Sequence, residues 1–454
     1  MRLRALGLLC ALAAGGPPAL AAQQPAPLTL EQALERARTG NPEYRAALNN
    51  LELTVPETRQ AWGAFLPELS LSAGTNGGFV RQLVGTDDFG NPVANPNAQT
   101  RYNSGSRQGL SISMPLFEGG RRFHALGEAR AAGEARRWTA TAELVRVAAQ
   151  VERDFFAAQR QQELLAIEEE LLEENRRDLD ATERLFALAA KSRSDVLGAQ
   201  LAVRRQEVEV RSASGERAKA LLSLEAAVGG AAPVGAVAPA ALDLFDPAAL
   251  DIDALVERAV ATSPVVRGAE AGQLASNASA AAARAARWPS VSLSGGLGRG
   301  TFGPDADALF DLTPDDQSQG SLELSLRIPL FSRFQTSYQI AQAEVASRNA
   351  QETTRQRRLE VERDVRQASI DLDNAYEQVQ TTAQAQEVAD ERLRLVREEY
   401  RLAVKSFEDL QAAVREAAEA RRAAVSARYD FVLARVALET AVGAPIRPGA
   451  PEPD

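Results

Sequence analysis

The sequence predicts a mainly α-helical fold with a smaller β part: two long antiparallel helical hairpins, each joined to a two-stranded ribbon. Three observations predict it. The chain is written twice, the long central stretch of each half lacks proline and repeats apolar residues at helical spacing, and short stretches ahead of them alternate apolar and polar residues. Of 454 residues, 45% are hydrophobic and 25% charged, as in folded protein, while only 5% are aromatic. That balance suits long helices better than a large mixed core.

Composition also removes several function classes. Lys+Arg 51 against Asp+Glu 61 gives a net charge of −10, the wrong sign for a chain that wraps a polyanion, so no nucleic-acid partner is expected. One His and one Cys leave too little for a zinc or iron site, a Cys nucleophile or a Ser/His/Asp triad. No catalytic, cofactor or metal residue is singled out, and an enzyme is not expected.

The chain begins as a secretory signal peptide, residues 1–21. Arg2 and Arg4 give the basic start, Ala5 to Ala14 the apolar stretch, and Ala19-Leu20-Ala21 the small-x-small cleavage signal. Cys10 falls inside it after Leu8 and Leu9, without the small residue that precedes a lipidated cysteine, so lipidation is not expected. Beyond the signal there is no run of about 18 apolar residues, the length a membrane-spanning helix needs. If this chain crosses a membrane, it does so as strands.

The first repeat covers 28–228, an Ala/Pro/Gly-rich linker 229–250, and the second repeat 251–443. Leu30-Glu31-Gln32-Ala33-Leu34-Glu35-Arg36-Ala37 matches Ile252-Asp253-Ala254-Leu255-Val256-Glu257-Arg258-Ala259, and Pro67-Glu68-Leu69 matches Pro289-Ser290-Val291, at an offset of 222 (30 to 252). The offset falls to 214 (115 to 329) where Pro115-Leu116-Phe117 pairs with Pro329-Leu330-Phe331. It stays there through Asp195 and Asp409 to Ala227-Val228-Gly229 and Ala441-Val442-Gly443.

After a first helical segment, each repeat holds a strand pair, at about 66–117 and about 289–331. Leu110, Ile112, Met114 and Leu116 share one face, with Ser111, Ser113 and Pro115 on the other. Leu322, Leu324, Leu326, Ile328 and Leu330 likewise interleave with Glu323, Ser325, Arg327 and Pro329. The pattern fits a hairpin over a soluble core or a strand with lipid on one side and water on the other. Residues 75–107 and 298–320, rich in Gly, Asn, Asp and Pro, read as long loops, which outer-membrane strands commonly carry.

A long helix follows at about 120–189 and again at about 334–403, each about 105 Å at 1.5 Å per residue. Leu165, Leu172, Leu179 and Phe186 recur every seven residues, and Val379, Gln386, Leu393 and Tyr400 stand at equivalent places with Ala389 and Val396 between them. This is a coiled-coil seam. Short turns, Ala189-Ala190-Lys191-Ser192 and Ala403-Val404-Lys405-Ser406, lead into returning helices at about 194–227 and 408–441. Each serine caps its helix, with Asp195 or Asp409 in the first turn where the dipole favours a carboxylate.

Four strands cannot close a barrel across a bilayer, because closure begins at about eight and an unpaired edge in hydrocarbon costs several kcal/mol. A membrane-inserted chain must therefore share its barrel with copies. A dimer gives eight strands and a filled interior; a trimer gives twelve and an open lumen.

Over about residues 28–443 the chain resembles the TolC-like family of outer-membrane efflux and secretion channels. The resemblance is carried by Pro115-Leu116-Phe117-Glu118-Gly119-Gly120-Arg121, by Tyr400 to Ala413, and by Ala427-Arg428-Tyr429-Asp430-Phe431 leading to Leu438-Glu439-Thr440-Ala441-Val442-Gly443. It implies a homotrimer in which the helical hairpins form an α-barrel tunnel through the periplasm, joined to one shared 12-stranded barrel in outer-membrane lipid. It implies an exit duct opened by a periplasmic membrane-fusion adaptor and an inner-membrane efflux pump or ABC exporter, with 444–454 as a periplasmic tail.

The resemblance further implies that the hairpin tips close the periplasmic aperture. A basic residue of the second turn faces an acidic residue of the first turn of a neighbour, and these are Lys405 and Asp195 here. Asp409 matches the first position of the family's acidic ring; the second falls at Ala412, with Glu408 as substitute, and Ala189 and Ala403 stand where the family has glycine. Adaptor and pump contact falls on Ala190, Lys191, Ser192, Val404, Lys405 and Ser406. Simple helix capping is the other role open to Asp195 and Asp409.

Among the remaining residues, His124 reads as structural, and Glu168-Glu169-Glu170 and Glu173-Glu174 as a solvated helix face. Trp62, Trp288, Phe117, Phe331 and Phe334 sit near strand-helix junctions, either as interfacial aromatics or as packing. The alternative function is a periplasmic coiled-coil adaptor or scaffold outside the membrane. The exported substrate is not legible.

Overall fold

The computed structural model describes residues 27–81, 83–86, 89–94, 100–230, 232–303, 310 and 317–446. The signal peptide at 1–21 and the end of the tail, 447–454, lie outside the described residues. The elements follow the order α1 (Leu30–Gly40), α2 (Pro42–Glu52), α3 (Thr54–Gly63), β1 (Glu68–Arg81), β2 (Val84–Thr86), β3 (Pro92–Ala94), β4 (Thr100–Glu118), α4 (Arg121–Ala187) and α5 (Arg193–Ala227) in the first half. The second half has α6 (Ile252–Thr262), α7 (Pro264–Arg284), β5 (Ser290–Gly303), β6 (Gln317–Arg327), α8 (Gln335–Arg401) and α9 (Phe407–Val442). The chain divides into two compact units, and α4 and α8 each begin in the second and end in the first.

The first unit holds 27–41, Gln150–Leu244 and Ala375–Leu433. Its core near the turns is built from Ala199 of α5, Ala389, Leu393 and Tyr400 of α8, and Phe407, Leu410, Ala413, Val414 and Ala417 of α9. On α8 the buried stripe follows the seven-residue spacing, from Val379 through Leu393 to Tyr400. On α4 it does not. Leu165, Leu172 and Leu179 are half-buried and Phe186 is 41% exposed, while the buried stripe is Glu168, Leu171, Asn175, Asp178 and Thr182. Over 168–182 the interior face of α4 is largely polar, whereas nearer its start the helix buries Val151, Phe155, Phe156 and Ala158, so an apolar count toward the turn points to the neighbouring stripe. In the same unit Leu28 pairs with the Ala/Pro/Gly segment, donating from its N–H to Ala236 O (3.0 Å) and accepting from Ala238 N–H (2.9 Å).

The second unit holds Pro42–Ala149, Phe245–Asn374 and 434–446. Its four-stranded antiparallel sheet has the order β1-β4-β5-β6. β1 and β4 run well into 75–107, and β5 and β6 well into 298–320, so the expected loops are in large part strand. Gly, Asn and Ser give no apolar alternation to read there, yet the ladder needs only backbone groups. Short helices flank the N-terminal parts of the long ones: Arg136 of α4 pairs with Glu57 of α3 at 2.7 Å, and Arg358 of α8 with Glu270 of α7 at 2.7 Å. The first copy is broken between α2 and α3 because Pro56, in the first turn of α3, has no N–H to give and crowds the carbonyl four residues back.

Candidate functional site

Register places two chemically distinct faces on the sheet. One face carries Val291–Leu326, Met114–Leu293–Leu324, Leu69–Ile112–Gly295–Leu322 and Leu71–Leu110–Leu297–Gly320 in successive rows. Leu71 is 80% and Leu322 78% exposed. This band ends at a polar row, Ala73–Gln108–Arg299–Ser318. The opposite face carries Glu68–Ser113–Ser294–Glu323, then Ser70–Ser111–Gly296–Ser321 and Ser72–Gly109–Gly298–Gln319. At the helix end of the sheet Trp62, Trp288, Phe117, Phe331 and Phe334 are all exposed, and Phe331 and Phe334 stack edge to face at 5.7 Å.

The two strand-to-helix junctions use one backbone with different residues. Gly119 (φ +63°) and Gly120 (φ +85°) stand where the second repeat has Arg333 (φ +50°) and Phe334 (φ +65°). A Cβ on Gly119 would lie 2.6 Å from Trp288 Cβ, so only glycine fits there. His124, one turn into α4, is exposed.

In the first unit both hairpin turns are capped alike. Ser192 Oγ accepts from Asp195 N–H (3.2 Å), and Asp195 Oδ2 accepts from Ser192 N–H (2.8 Å). Ser406 and Asp409 repeat this at 3.1 Å and 3.1 Å. The Ser406 hydroxyl and N–H, and then the charge of Lys405, hold the Asp409 carboxyl below its ordinary pKa. Both long helices end in a left-handed residue, Ala189 (φ +58°) and Ala403 (φ +60°). The N–H of Ala190 reaches Leu185 O and that of Val404 reaches Glu399 O, both at 2.9 Å, the Schellman closure in which glycine is usual.

The equivalent lysines are used differently. Lys191 Nζ donates to Lys405 O at 2.8 Å and lies 4.2 Å from the centre of the Tyr400 ring. The Tyr400 hydroxyl in turn bonds Thr182 at 2.9 Å. Lys405 and Asp195 form no ion pair within the chain among the described residues, Asp195 being turned to Ser192. Glu408 is exposed in the first turn of α9. A groove of about 1310 Å³ runs beside the tips, lined among others by Asp195, Arg205, Glu408, Asp409 and Arg415.

Glu168 and Glu174 are not solvated. Both are buried, each against arginines of α8 or α9. Arg422 Nη2 reaches Glu168 Oε2 at 2.9 Å, and Gln206 Nε2 reaches the same oxygen at 2.6 Å. Arg397 Nη2 bridges Glu174 (3.0 Å) and Asp178 (3.2 Å), while Arg421 joins Glu174 (3.1 Å) to Asp390 (2.8 Å). Burial pushes Glu174 up, but hydrogen bonds from Arg397 and Arg421 outweigh it and leave the pKa lowered. At Asp178 burial wins over Arg397 and the pKa is raised. Sequence reasoning missed this layer because charge alone marks a helix face as wet. Among the described residues no group of three or more His, Cys, Asp or Glu is placed to hold a metal ion, and no helix is long and apolar enough to cross a membrane.

Three solved or curated proteins frame this geometry. The CmeC outer membrane channel of Campylobacter jejuni superposes with a TM-score of 0.75 at 16% identity, covering 93% of this chain and 87% of that one. The outer membrane protein VceC from Vibrio cholerae superposes with a TM-score of 0.72 at 18% identity, covering 92% of this chain and 96% of that one. Protein CyaE of Bordetella pertussis is 27% identical over 333 residues, 71% of this chain, so the match spans 65% of that relative's length. The profile of the family described as outer membrane efflux protein matches twice, over residues 33–230 and 255–444, so the chain belongs to that family.

Proposed function

We propose that the chain is the outer-membrane exit duct of a tripartite efflux pump or type I secretion system, passive in itself and opened by an inner-membrane pump and a periplasmic adaptor. The observation that carries this reading is the exposed apolar band on one face of the sheet, backed by a Ser/Gly and charged face. At ~25 cal/mol per Å² such a band is costly in water and gains when it meets lipid. The edge strands β1 and β6 also need partners in hydrocarbon. Three copies would pair edge to edge into twelve strands with the polar face lining a lumen, after an export signal at 1–21 is removed.

In this reading the turns close the periplasmic end. Lys405 of one copy would face Asp195 of the next, with Glu408 and Asp409 completing an acidic aperture, and Ala190, Lys191, Ser192, Val404, Lys405 and Ser406 offered to the adaptor. Such exposed pairs are worth ~0.2–1 kcal/mol each, weak enough for a gate that opens.

Membrane fractionation with cross-linking tests the whole reading. A trimer in the outer-membrane fraction supports it. Recovery as a soluble periplasmic monomer would overturn it in favour of an adaptor or scaffold.

A further inference from the structure

The polar face of the sheet changes sign along its length. Nearest the helices it carries the row Glu118–Ser290–Arg327, in which the two charges offset, and Pro115–Ser292–Ser325; the acidic row Glu68–Ser113–Ser294–Glu323 follows, then two rows built from Ser, Gly and Gln. Beyond these comes the row Gly74–Arg107–Gly300–Gln317, and beyond that Asn76–Gly105–Phe302. Phe302 is an aromatic ring on a face whose rows up to it are small, polar or charged, and two rows farther out the same face carries Val80–Arg101, a second arginine toward the basic end. It lies in a notch cut by two glycines: a Cβ on Gly105 would stand 2.7 Å from Phe302 Cδ1, and one on Gly300 3.3 Å from Cε2. The Arg107 guanidinium lies over that ring, 5.9 Å from its centre.

A guanidinium cannot lose its charge in water, and a fixed aromatic face gives a long, mobile side chain one preferred seat. Arg107 itself remains exposed. The ring therefore holds the cation against the wall with its donors still turned to solvent.

We propose that Arg107 is the anion-attracting, selectivity-setting residue of the lumen, with Phe302 as its positioning residue. This rests on the polar face lining the lumen of a closed oligomer, as in the proposed function. Three copies then put a basic ring toward one end of the barrel and an acidic ring, Glu68 and Glu323, toward the other. The chemistry favoured at the basic ring is that of phosphate, sulfate or carboxylate groups on whatever is exported, and chloride is the probe.

Planar-bilayer recording of the full-length protein under a potassium chloride gradient near 0.1 M tests it. Arg107→Gln is expected to lower the chloride-to-potassium permeability ratio at least about twofold, because wall charge sets local counter-ion concentration. Arg107→Lys should keep the ratio near wild type, and Glu323→Gln should move it the opposite way. The differences should fade near 1 M salt, where the screening length is about 3 Å. Phe302→Leu should give part of the Arg107→Gln shift and Phe302→Tyr none. Channels of Arg107→Gln with wild-type selectivity would overturn the proposal. A shift in Arg107→Gln with none in Phe302→Leu would overturn the role of Phe302. Protein that inserts no channel at all would overturn the exit-duct reading, and this inference with it.

Discussion

Lys191, in the first hairpin turn, donates from Nζ to the backbone carbonyl of Lys405 in the second, at 2.8 Å. The contact ties two turns 214 residues apart and leaves the two lysines with different duties. In this contact Lys191 acts through its side chain and Lys405 through its backbone. A hydrogen bond to a charged group contributes about 1.5–3 kcal/mol. Lys191→Met is therefore expected to raise amide exchange at Lys405 and Ser406 by tenfold or more, read by hydrogen–deuterium exchange. Lys405→Met, which keeps the carbonyl, should leave exchange at the first turn unchanged. Equal effects would refute the asymmetry.

How much of this was legible in the sequence depends on how local each interaction is. Ser192 with Asp195 and Ser406 with Asp409 are contacts three residues apart, so capping could be read from spacing. Glu168 and Glu174 meet Arg422 and Arg397 across 254 and 223 residues. Read in their own helix they look like a wet face, since nothing local marks the partners. The outer parts of β1 and β4 were hidden for a different reason: Asn76 opposite Gly105 and Gly78 opposite Asn103 hold a ladder without an apolar pattern. The lysine asymmetry at the tips had no sequence signal, because both turns carry a lysine before the capping serine.

Glu174 and Asp178 should respond oppositely to pH. The fold lowers the pKa of Glu174, so its contribution is present at neutral pH and lost as pH falls through that lowered value. The fold raises that of Asp178, so Asp178 keeps its proton to higher pH in the native state, and its burial cost appears as pH climbs above about 4, the ordinary carboxylate value. Glu174→Gln leaves Arg397 and Arg421 short of a counter-charge and is expected to cost about 3–5 kcal/mol at pH 7, a deficit that shrinks in acid. Asp178→Asn should raise the melting temperature at pH 7 and lose that advantage near pH 3. Thermal unfolding in detergent, followed by helical circular dichroism across pH 3–8, distinguishes the two. Parallel pH curves would show that Arg397 does not separate them.

The helix ends at Ala189 and Ala403 carry conformational cost. An alanine in the left-handed region is disfavoured by about 1–2 kcal/mol, and both lie there, at φ +58° and +60°. Glycine removes that cost but adds about 0.4–1 kcal/mol of unfolded-chain entropy. Ala189→Gly and Ala403→Gly should each therefore stabilise the tip by up to about 1 kcal/mol. Slower amide exchange at Ala190 and Val404, whose N–H groups close the turns, is the expected result. Faster exchange would mean that the alanine methyls contribute packing outweighing the backbone strain.

The strand-to-helix junctions allow a sharper comparison, since equivalent backbones carry Gly119-Gly120 in one repeat and Arg333-Phe334 in the other, all at positive φ. Arg333→Gly loses no ring and should stabilise by about 1 kcal/mol, the left-handed cost less the entropy term. Phe334→Gly relieves the same strain but loses the edge-to-face contact with Phe331, worth about 0.5–1.5 kcal/mol, so it should be near neutral. The converse changes separate strain from space. A methyl on Gly120 meets its nearest atom, His124 Nε2, at 3.9 Å, whereas one on Gly119 meets Trp288 Cβ at 2.6 Å and Ala285 O at 2.8 Å. Gly120→Ala should then cost only the backbone term of about 1–2 kcal/mol, and Gly119→Ala that term plus displacement of Trp288. Melting temperatures of the four variants in detergent are expected to rank Arg333→Gly above Phe334→Gly, then Gly120→Ala, then Gly119→Ala. A reversal of the last two would mean that Trp288 yields without cost and that the junction is held by backbone conformation alone.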